Sequence, residues 1–353
     1  MTATQPRIGG PSPEQVLLLQ SLRDDPCVSL LATTTAAPRM TDDDGRRLRR
    51  LAADARARLA RDGAPAELAD ALDDLVATVR AEPTGAGIAL YVNRELRQVV
   101  RLPIRVPDRV VVDPTFATRD LVRALHRIPR HLVLLLSEQD ARLLEGGAGT
   151  LRPPARSPFP LSAGEDPIGG ADDGDAFLRR VDRALGTFLR LHPAPLVLVG
   201  AQRVVGRFRR LSRNTARLAG TVTGNLTRSP VPVLVPRVRE VLDAYLRSRQ
   251  DEALAHLDRR RSRSGVVEGI DAAWLAARRE RPEMLAVEEG FTLAARLSPD
   301  GDFLVPADDV EHPDVVDDVV DELIETVLLR GGWVSFVADG ALADAGRVAL
   351  TLR

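Results

Sequence analysis

The sequence predicts an α/β fold divided into three small α/β domains. The chain has 353 residues, more than one hydrophobic core usually holds, and its 44% hydrophobic and 28% charged residues are usual for a globular protein. Apolar runs at 132–136 and 195–200 have the length of buried strands, and a helical pattern lies between them. This alternation of strand and helix is typical of α/β domains.

The N-terminal third is predicted to contain an arm with a short helix over 1–25 and a first α/β domain over 26–120. Thr41, with Asp44 three residues later, indicates a capped helix start, and Gly63 indicates the end of that helix. A second helix is expected from Pro65. The predicted strands are 27–32, 88–92, 97–102 and 110–112.

The middle domain is predicted over 121–235. Its sheet begins with a buried hairpin, 132–136 and 141–145, which needs helices to cover it. Covering helices are expected at 121–130, 175–191 and 204–211. Residues 150–175 are rich in Pro, Gly, Ser and Asp, which predicts a mobile loop.

The third domain is predicted over 236–353, entered by one long helix over 231–261. The remaining predicted elements are helices at 266–279 and 313–329 and strands at 284–288, 292–297, 333–337 and 348–352. Helices and strands alternate here too, which indicates an α/β/α arrangement.

The arginines are clustered, although the net charge of the chain is only -1. All 49 basic residues are arginine, whose planar guanidinium suits phosphates and bases. The first cluster contains no acid, so RNA or phosphate contact and a solvated helix face both stay open for it. The clusters are Arg203, Arg207, Arg209, Arg210, Arg213 and Arg217; Arg259, Arg260, Arg261 and Arg263; and Arg46, Arg47, Arg49 and Arg50.

Residues 300–325 have the opposite character, with eleven acids and no arginine. These acids could serve solubility and the N-terminus of the following helix. Alternatively, they could form a surface that binds a protein partner.

The sequence offers little catalytic or metal chemistry. Cys27 is the single cysteine, and the five histidines are scattered without metal-ligand spacing. Glu138 and Glu145 could pair across the middle sheet, but no third carboxylate stands near them in the sequence. We therefore expect no cofactor, no metal and no enzymatic activity. No apolar run reaches the length of a membrane span, which predicts a soluble cytoplasmic protein without a membrane partner.

The order of elements resembles the bacterial branch of the archaeo-eukaryotic class I peptide release factor and Pelota family. The resemblance covers nearly the whole chain after Asp25 and implies a decoding-type N-terminal domain, an RNase H-like middle domain and an L7Ae-like C-terminal domain. It implies a ribosome or rRNA partner. It is carried by the segments 28–30, 87–91 (GIALY), 101–103 (RLP), 131–137 (HLVLLLS), 141–144 (ARLL), 195–200 (PLVLVG) and 329–332 (LRGG).

The departures from the family pattern affect the expected activity. Release factors of this family carry Gly-Gly-Gln in the middle-domain loop, whereas this loop reads Gly169, Gly170 and Ala171 beside three aspartates. The stop-codon motif is replaced by 41–44, TDDD. The sequence therefore predicts a non-catalytic ribosome-binding protein of stress, rescue or hibernation, acting at the A-site region. A regulatory protein that kept the fold and left the ribosome is the alternative.

Overall fold

The computed structural model describes residues 7–24, 26–147, 150–165, 174–262, 265–308, 312 and 314–353. Contacts divide the chain into two compact units: a first unit of 1–127 with 250–353, and a second unit of 128–249. The predicted first and third domains thus share one unit. The boundaries predicted at 120 and 235 stay predictions.

The N-terminal part of the first unit is a five-stranded sheet in the order β1-β4-β3-β2-β5. Helices α2 and α3 cover one face of this sheet, where Leu48 and Leu72 are fully buried. Helices α1 and α4 cover the other face, where Leu19 and Leu121 are fully buried. Thr41 caps α2 through the Asp44 N–H, as predicted. The elements are β1 Arg7–Gly9, α1 Pro13–Ser21, β2 Cys27–Thr33, α2 Asp42–Arg61, α3 Ala66–Val79, β3 Gly87–Val92, β4 Arg97–Leu102, β5 Arg109–Asp113 and α4 Arg119–Arg127.

The second unit is built on a sheet in the order β11-β10-β6-β7-β8, with β9 paired to β7. Strands β6, β10 and β11 are parallel, and the hairpin of β6 and β7 is antiparallel, as predicted. The elements are β6 His131–Leu136, β7 Asp140–Gly147, β8 Thr150–Arg152, β9 Leu161–Ser162, α5 Gly174–Leu191, β10 Leu196–Gly200, α6 Gln202–Leu211, β11 Leu218–Thr223 and α7 Val231–Arg261.

The apolar runs of β6 and β10 are explained by burial on both faces of this sheet. Leu134 and Leu198 pack with α5 and α6, whereas Val133 and Val197 pack with the first half of α7. A strand buried on both faces has no position that favours a polar residue, so its sequence is continuously apolar.

The C-terminal part of the first unit contains a four-stranded sheet, β12-β18-β13-β17, and a three-stranded sheet, β15-β14-β16. Helices α8 and α9 bury Trp274 and Leu323 against the first of these sheets. The elements are β12 Val266–Glu268, α8 Ile270–Arg279, β13 Pro282–Glu288, β14 Ala295–Leu297, β15 Leu304–Pro306, β16 Val315–Val316, α9 Val319–Leu329, β17 Trp333–Val337 and β18 Val348–Leu352.

The mixed α/β class is confirmed, and three element predictions are wrong. Residues 266–268 form β12 before α8 begins, so the helix predicted at 266–279 is shorter. Helix α9 begins at Val319 and not at 313, because Asp318 caps it. The loop predicted at 150–175 includes β8, β9 and a 3-10 turn at 163–165. The names RNase H-like and L7Ae-like stay predictions.

Candidate nucleic-acid interface

The first arginine cluster lies on α6 and the segment that follows it. Val204, Val205 and Phe208 turn inward, so the arginines between and after them are carried on the other faces of α6. Residues 212–217 then connect α6 to β11. Arg209 and Arg210 lie in the last helical turn, where positive charge is favoured by the helix dipole.

The segment 212–217 is fixed to α5 by one buried carboxylate, that of Asp182. The Ser212 hydroxyl donates to this carboxylate, as do the Arg213 N–H at 3.1 Å and the Asn214 side-chain amide at 2.9 Å. The same Asn214 amide donates to the Asp182 carbonyl at 3.0 Å. These bonds hold the backbone of the segment in one place on the surface of the unit.

Gly186 makes room for this attachment. A Cβ atom at position 186 would lie 2.6 to 2.8 Å from the side chain of Asn214, closer than nonbonded atoms approach. Any larger residue on this turn of α5 would force the Asn214 side chain to move and give up its bonds to Asp182.

Two of the six arginines in the first cluster are neutralised and four are not. Arg203 pairs with Glu138 and lowers the pKa of that carboxyl, and half-buried Arg207 pairs with Asp175. The other four are Arg209, Arg210, Arg213 and Arg217. They are exposed, and none of them has a carboxylate partner among the residues that the structure describes. We call these four the second-unit arginines.

The second predicted cluster has mainly an internal role. Arg260 binds Glu283 and the Leu352 carbonyl, and Arg261 binds Asp258 and Glu268. These bonds fix the end of α7 to β12, β13 and β18. Within the described ranges, Arg259 is exposed and has no carboxylate partner. The structure therefore does not bring Arg260 and Arg261 to a free basic surface.

The third predicted cluster is also partly neutralised. Arg46 pairs with Asp43, and Arg47 reaches Asp108 at 3.3 Å and the Thr33 carbonyl at 2.8 Å. Arg49 and Arg50 are exposed without a carboxylate partner in the described part of the chain. Arg49 lines an open groove of about 940 Å³ together with Arg39, Arg80, Asp42 and Asp73. The charges of this groove nearly cancel, so it is a weaker anion site than the second-unit arginines.

The acidic run of 300–325 contacts the N-terminal part of the first unit, a role that the sequence did not indicate. Asp317 binds Arg58, and Asp318 binds Arg119 at 3.1 Å. Further contacts join Asp321 to the Thr118 N–H, Glu322 to Thr115, and Glu325 to Arg23. These acids are used within the chain; among the acids of the run that the structure describes, Asp300, Asp308 and Asp314 are exposed.

Several acids at this contact between the N-terminal and C-terminal parts of the first unit have raised pKa values. Burial, together with the charge of Asp317, raises the pKa of Asp113 to about 7. Burial and the charge of Glu322 likewise raise the pKa of Glu325 to about 7. Asp321 is buried, and this burial, together with the charge of Asp318, also raises its pKa. These groups bind protons more readily here than in an unfolded chain.

Other kinds of site find no support among the described residues. No cluster of three or more His, Cys, Asp or Glu there could hold a metal ion. In that same part of the chain, none of the helices combines the length and the apolar character needed to cross a membrane. The motif Gly169, Gly170 and Ala171 lies outside the described residues.

Comparison with known families agrees with the sequence resemblance. Residues 130–281 match the model of Bacterial archaeo-eukaryotic release factor family 3. The expected family is confirmed for this segment of the chain. The match to this release factor family covers less than half of the chain but includes most of the second unit and all four second-unit arginines. No curated protein sequence matches the chain.

Solved structures give distant similarities to the release factor and Pelota group. The archaeal translation termination factor aRF1 is 14% identical over 96% of both chains, with a TM-score of 0.26. Archaeoglobus fulgidus Pelota is 13% identical over 98% of this chain and 93% of its own, with a TM-score of 0.37. A ribosome-bound archaeal Pelota, described together with ABCE1, is 11% identical over 98% and 95%, with a TM-score of 0.44.

Proposed function

We propose that this protein is a non-catalytic factor of translation that binds ribosomal RNA through Arg209, Arg210, Arg213 and Arg217. It acts in stress, rescue or hibernation by occupying the A-site region of the ribosome. Membership of the release factor family for 130–281 supports a role in translation. The observation that carries the proposal is the set of four unneutralised arginines on the last turn of α6 and on the fixed segment 212–217 that follows it.

The argument rests on how these arginines are arranged. A carboxylate partner neutralises an exposed guanidinium and so weakens its attraction for a phosphate, whereas the second-unit arginines have no such partner among the described residues. The Asp182 bonds place Arg213 in advance, so less conformational freedom is lost on binding. Phosphate contacts of this kind supply sequence-independent affinity for RNA.

The proposal is tested by sedimenting ribosomes from growing and from starved cells that express the tagged protein. We expect the wild type to sediment with ribosomes, and R209Q/R210Q/R213Q/R217Q to remain in the supernatant. Each lost phosphate contact reduces the slope of log affinity against log salt by about 0.7 to 0.9, so four changes should flatten it by about three. Arg207 is left unchanged because it pairs with Asp175.

The control variant R94Q/R228Q/R237Q removes three exposed arginines elsewhere in the chain. Each of them lies 3.8 to 4.0 Å from a carboxylate, so its ion pair is long and weak. This control should sediment like the wild type. Equal binding by the quadruple variant, with an unchanged salt slope, would contradict the proposed RNA contact.

The alternative is a regulatory protein that does not act on the ribosome. It is favoured by the net charge of -1 and by the internal pairing of arginines in the second and third clusters. Under this alternative, the wild type stays in the supernatant from both growing and starved cells.

A further inference from the structure

We propose that Trp333, with Arg281, Arg330 and Arg353, forms a second binding site, which takes single-stranded RNA and stacks one base on the indole ring. The inference goes beyond the proposed function by adding a site in the first unit, and it rests on that function only for RNA as the ligand class. We call these four residues the Trp333 site.

Three distant segments meet at this site. The Arg353 N–H donates to the Arg281 carbonyl at 3.0 Å, and the Arg353 guanidinium donates to the Gly331 carbonyl at 2.6 Å. The Arg330 guanidinium donates to the Glu280 carbonyl at 2.7 Å. Because two of the guanidinium groups are held by backbone oxygens, their positions are set while other N–H groups stay available for a ligand.

The arginines of this site are not neutralised by carboxylates that the structure describes. All three are exposed, and none of them forms an ion pair within the described ranges. Their neighbours differ: Arg279 pairs with Asp302, and Arg278 lies over the ring of buried Trp274. Three guanidinium groups without a described carboxylate partner give the site an excess of positive charge.

The indole of Trp333 is presented at the surface by the turn before it. Gly331 has φ +79°, and a Cβ at Gly332 would lie 2.7 Å from Val327 Cγ1, so two glycines are needed to close this turn. Trp333 then begins β17, the edge strand of its sheet, and is 40% exposed, whereas Trp274 is 4% exposed. Leu329, on the other side of the turn, is 51% exposed.

This combination favours single-stranded RNA over duplex RNA or a protein. Unpaired bases stack on aromatic rings and on guanidinium planes, and their phosphates bind arginine. A duplex keeps its bases stacked inside and cannot use the indole. Tryptophan and arginine are also common in protein interfaces, but three arginines without a carboxylate partner among the described residues favour a polyanion.

The two tryptophans allow a direct test, because only Trp333 is exposed. A short uridine oligoribonucleotide is added to the full chain while tryptophan fluorescence is recorded. We expect quenching in the wild type and none in W333F, whose remaining signal comes from buried Trp274. W333L has lost the reporting indole, so its affinity and that of the wild type are compared by the anisotropy of a fluorescein-labelled oligonucleotide. W333L should bind about tenfold more weakly, as expected for one lost stacking contact.

The charge of the site is tested separately with R281Q/R330Q/R353Q. Its affinity should fall and its salt slope should flatten by about two, at about 0.7 per phosphate on a single strand. The control R94Q/R228Q/R237Q should quench like the wild type. Circular dichroism spectra of all variants should match, and the wild-type quenching tests the site even if one variant misfolds.

The outcomes separate this site from the proposed function. Absent quenching in the wild type, or equal affinity of W333L and the wild type, overturns the Trp333 site even if ribosomes are bound. Quenching that depends on Trp333, in a protein that never sediments with ribosomes, supports the site and overturns the ribosomal function.

Discussion

Arg58 of α2 donates two hydrogen bonds, at 3.1 and 2.9 Å, to the carboxylate of Asp317, which stands 259 positions later in the sequence. Both side chains are only 10% exposed. The pair joins the N-terminal and C-terminal parts of the first unit, and the contacts of Asp318, Asp321 and Glu325 continue this junction. A junction built from buried charges makes the stability of the unit sensitive to single substitutions and to pH.

We expect R58A to lower the free energy of unfolding of the first unit by about 3 to 5 kcal/mol, because it leaves the Asp317 carboxylate buried without its partner. The control is R56A, whose pairs with Asp70 and Asp73 are exposed to solvent and should contribute much less. Urea denaturation followed by tryptophan fluorescence measures this, because both tryptophans lie in the first unit. Equal losses in the two variants would contradict the prediction.

The stability of the first unit should depend on Asp113 and Glu325 as the pH changes. Their pKa values in the folded chain are about 7, above the values near 4 of free carboxyls. A raised pKa stabilises the fold at low pH, and this contribution is lost as the pH rises toward and through about 7. Asp113 faces Asp317, Glu322 and Arg58; Glu325 faces Glu322 and Arg23.

Replacing both groups by neutral amides removes that dependence. We expect D113N/E325Q to become progressively more stable relative to the wild type as the pH is raised from about 4 to about 7. Urea denaturation at a series of pH values, read by tryptophan fluorescence, gives the difference. A difference that stays constant over this range would show that neither carboxyl titrates with a raised pKa.

Gly186 offers a test of the fixed segment without changing any charge. G186A should force Asn214 away from α5, lower stability by about 1 to 3 kcal/mol and weaken ribosome binding. The control is G206A in α6, where a Cβ meets nothing within 4 Å, so helix stability should increase by about 0.5 to 1 kcal/mol. Thermal melting by circular dichroism and ribosome sedimentation provide the two measurements. Ribosome binding by G186A at the wild-type level would mean that the segment need not be fixed.

We expect no hydrolysis of peptidyl-tRNA on ribosomes, with or without a stop codon. Ala171 cannot position a water molecule as the glutamine of the family motif is expected to, and three nearby aspartates repel rRNA phosphates. Release of labelled peptide is measured against a reaction without factor. A rate clearly above that background would refute the prediction.

The sequence by itself determined most of the longer strands and most helices. Continuous apolar runs such as 132–136 and 196–200 can be buried only inside a sheet covered on both faces, and α7 was predicted with its observed ends, Val231–Arg261. The short strands β15 and β16 were missed, because two or three residues carry too little periodicity to be recognised.

Only the tertiary structure decided which charges remain free. Arg207 and Arg209 look alike in the sequence, yet Arg207 meets Asp175 and Arg209 is exposed. The sequence indicated that the acids of 300–325 serve solubility, the N-terminus of a helix or a protein partner. In the structure, several of them bind residues of the N-terminal part of the first unit, at least 199 positions earlier in the sequence. Coulomb interactions and hydrogen bonds act through space over a few ångströms, so the partner of a charged residue is set by the fold and not by the residues beside it in the chain.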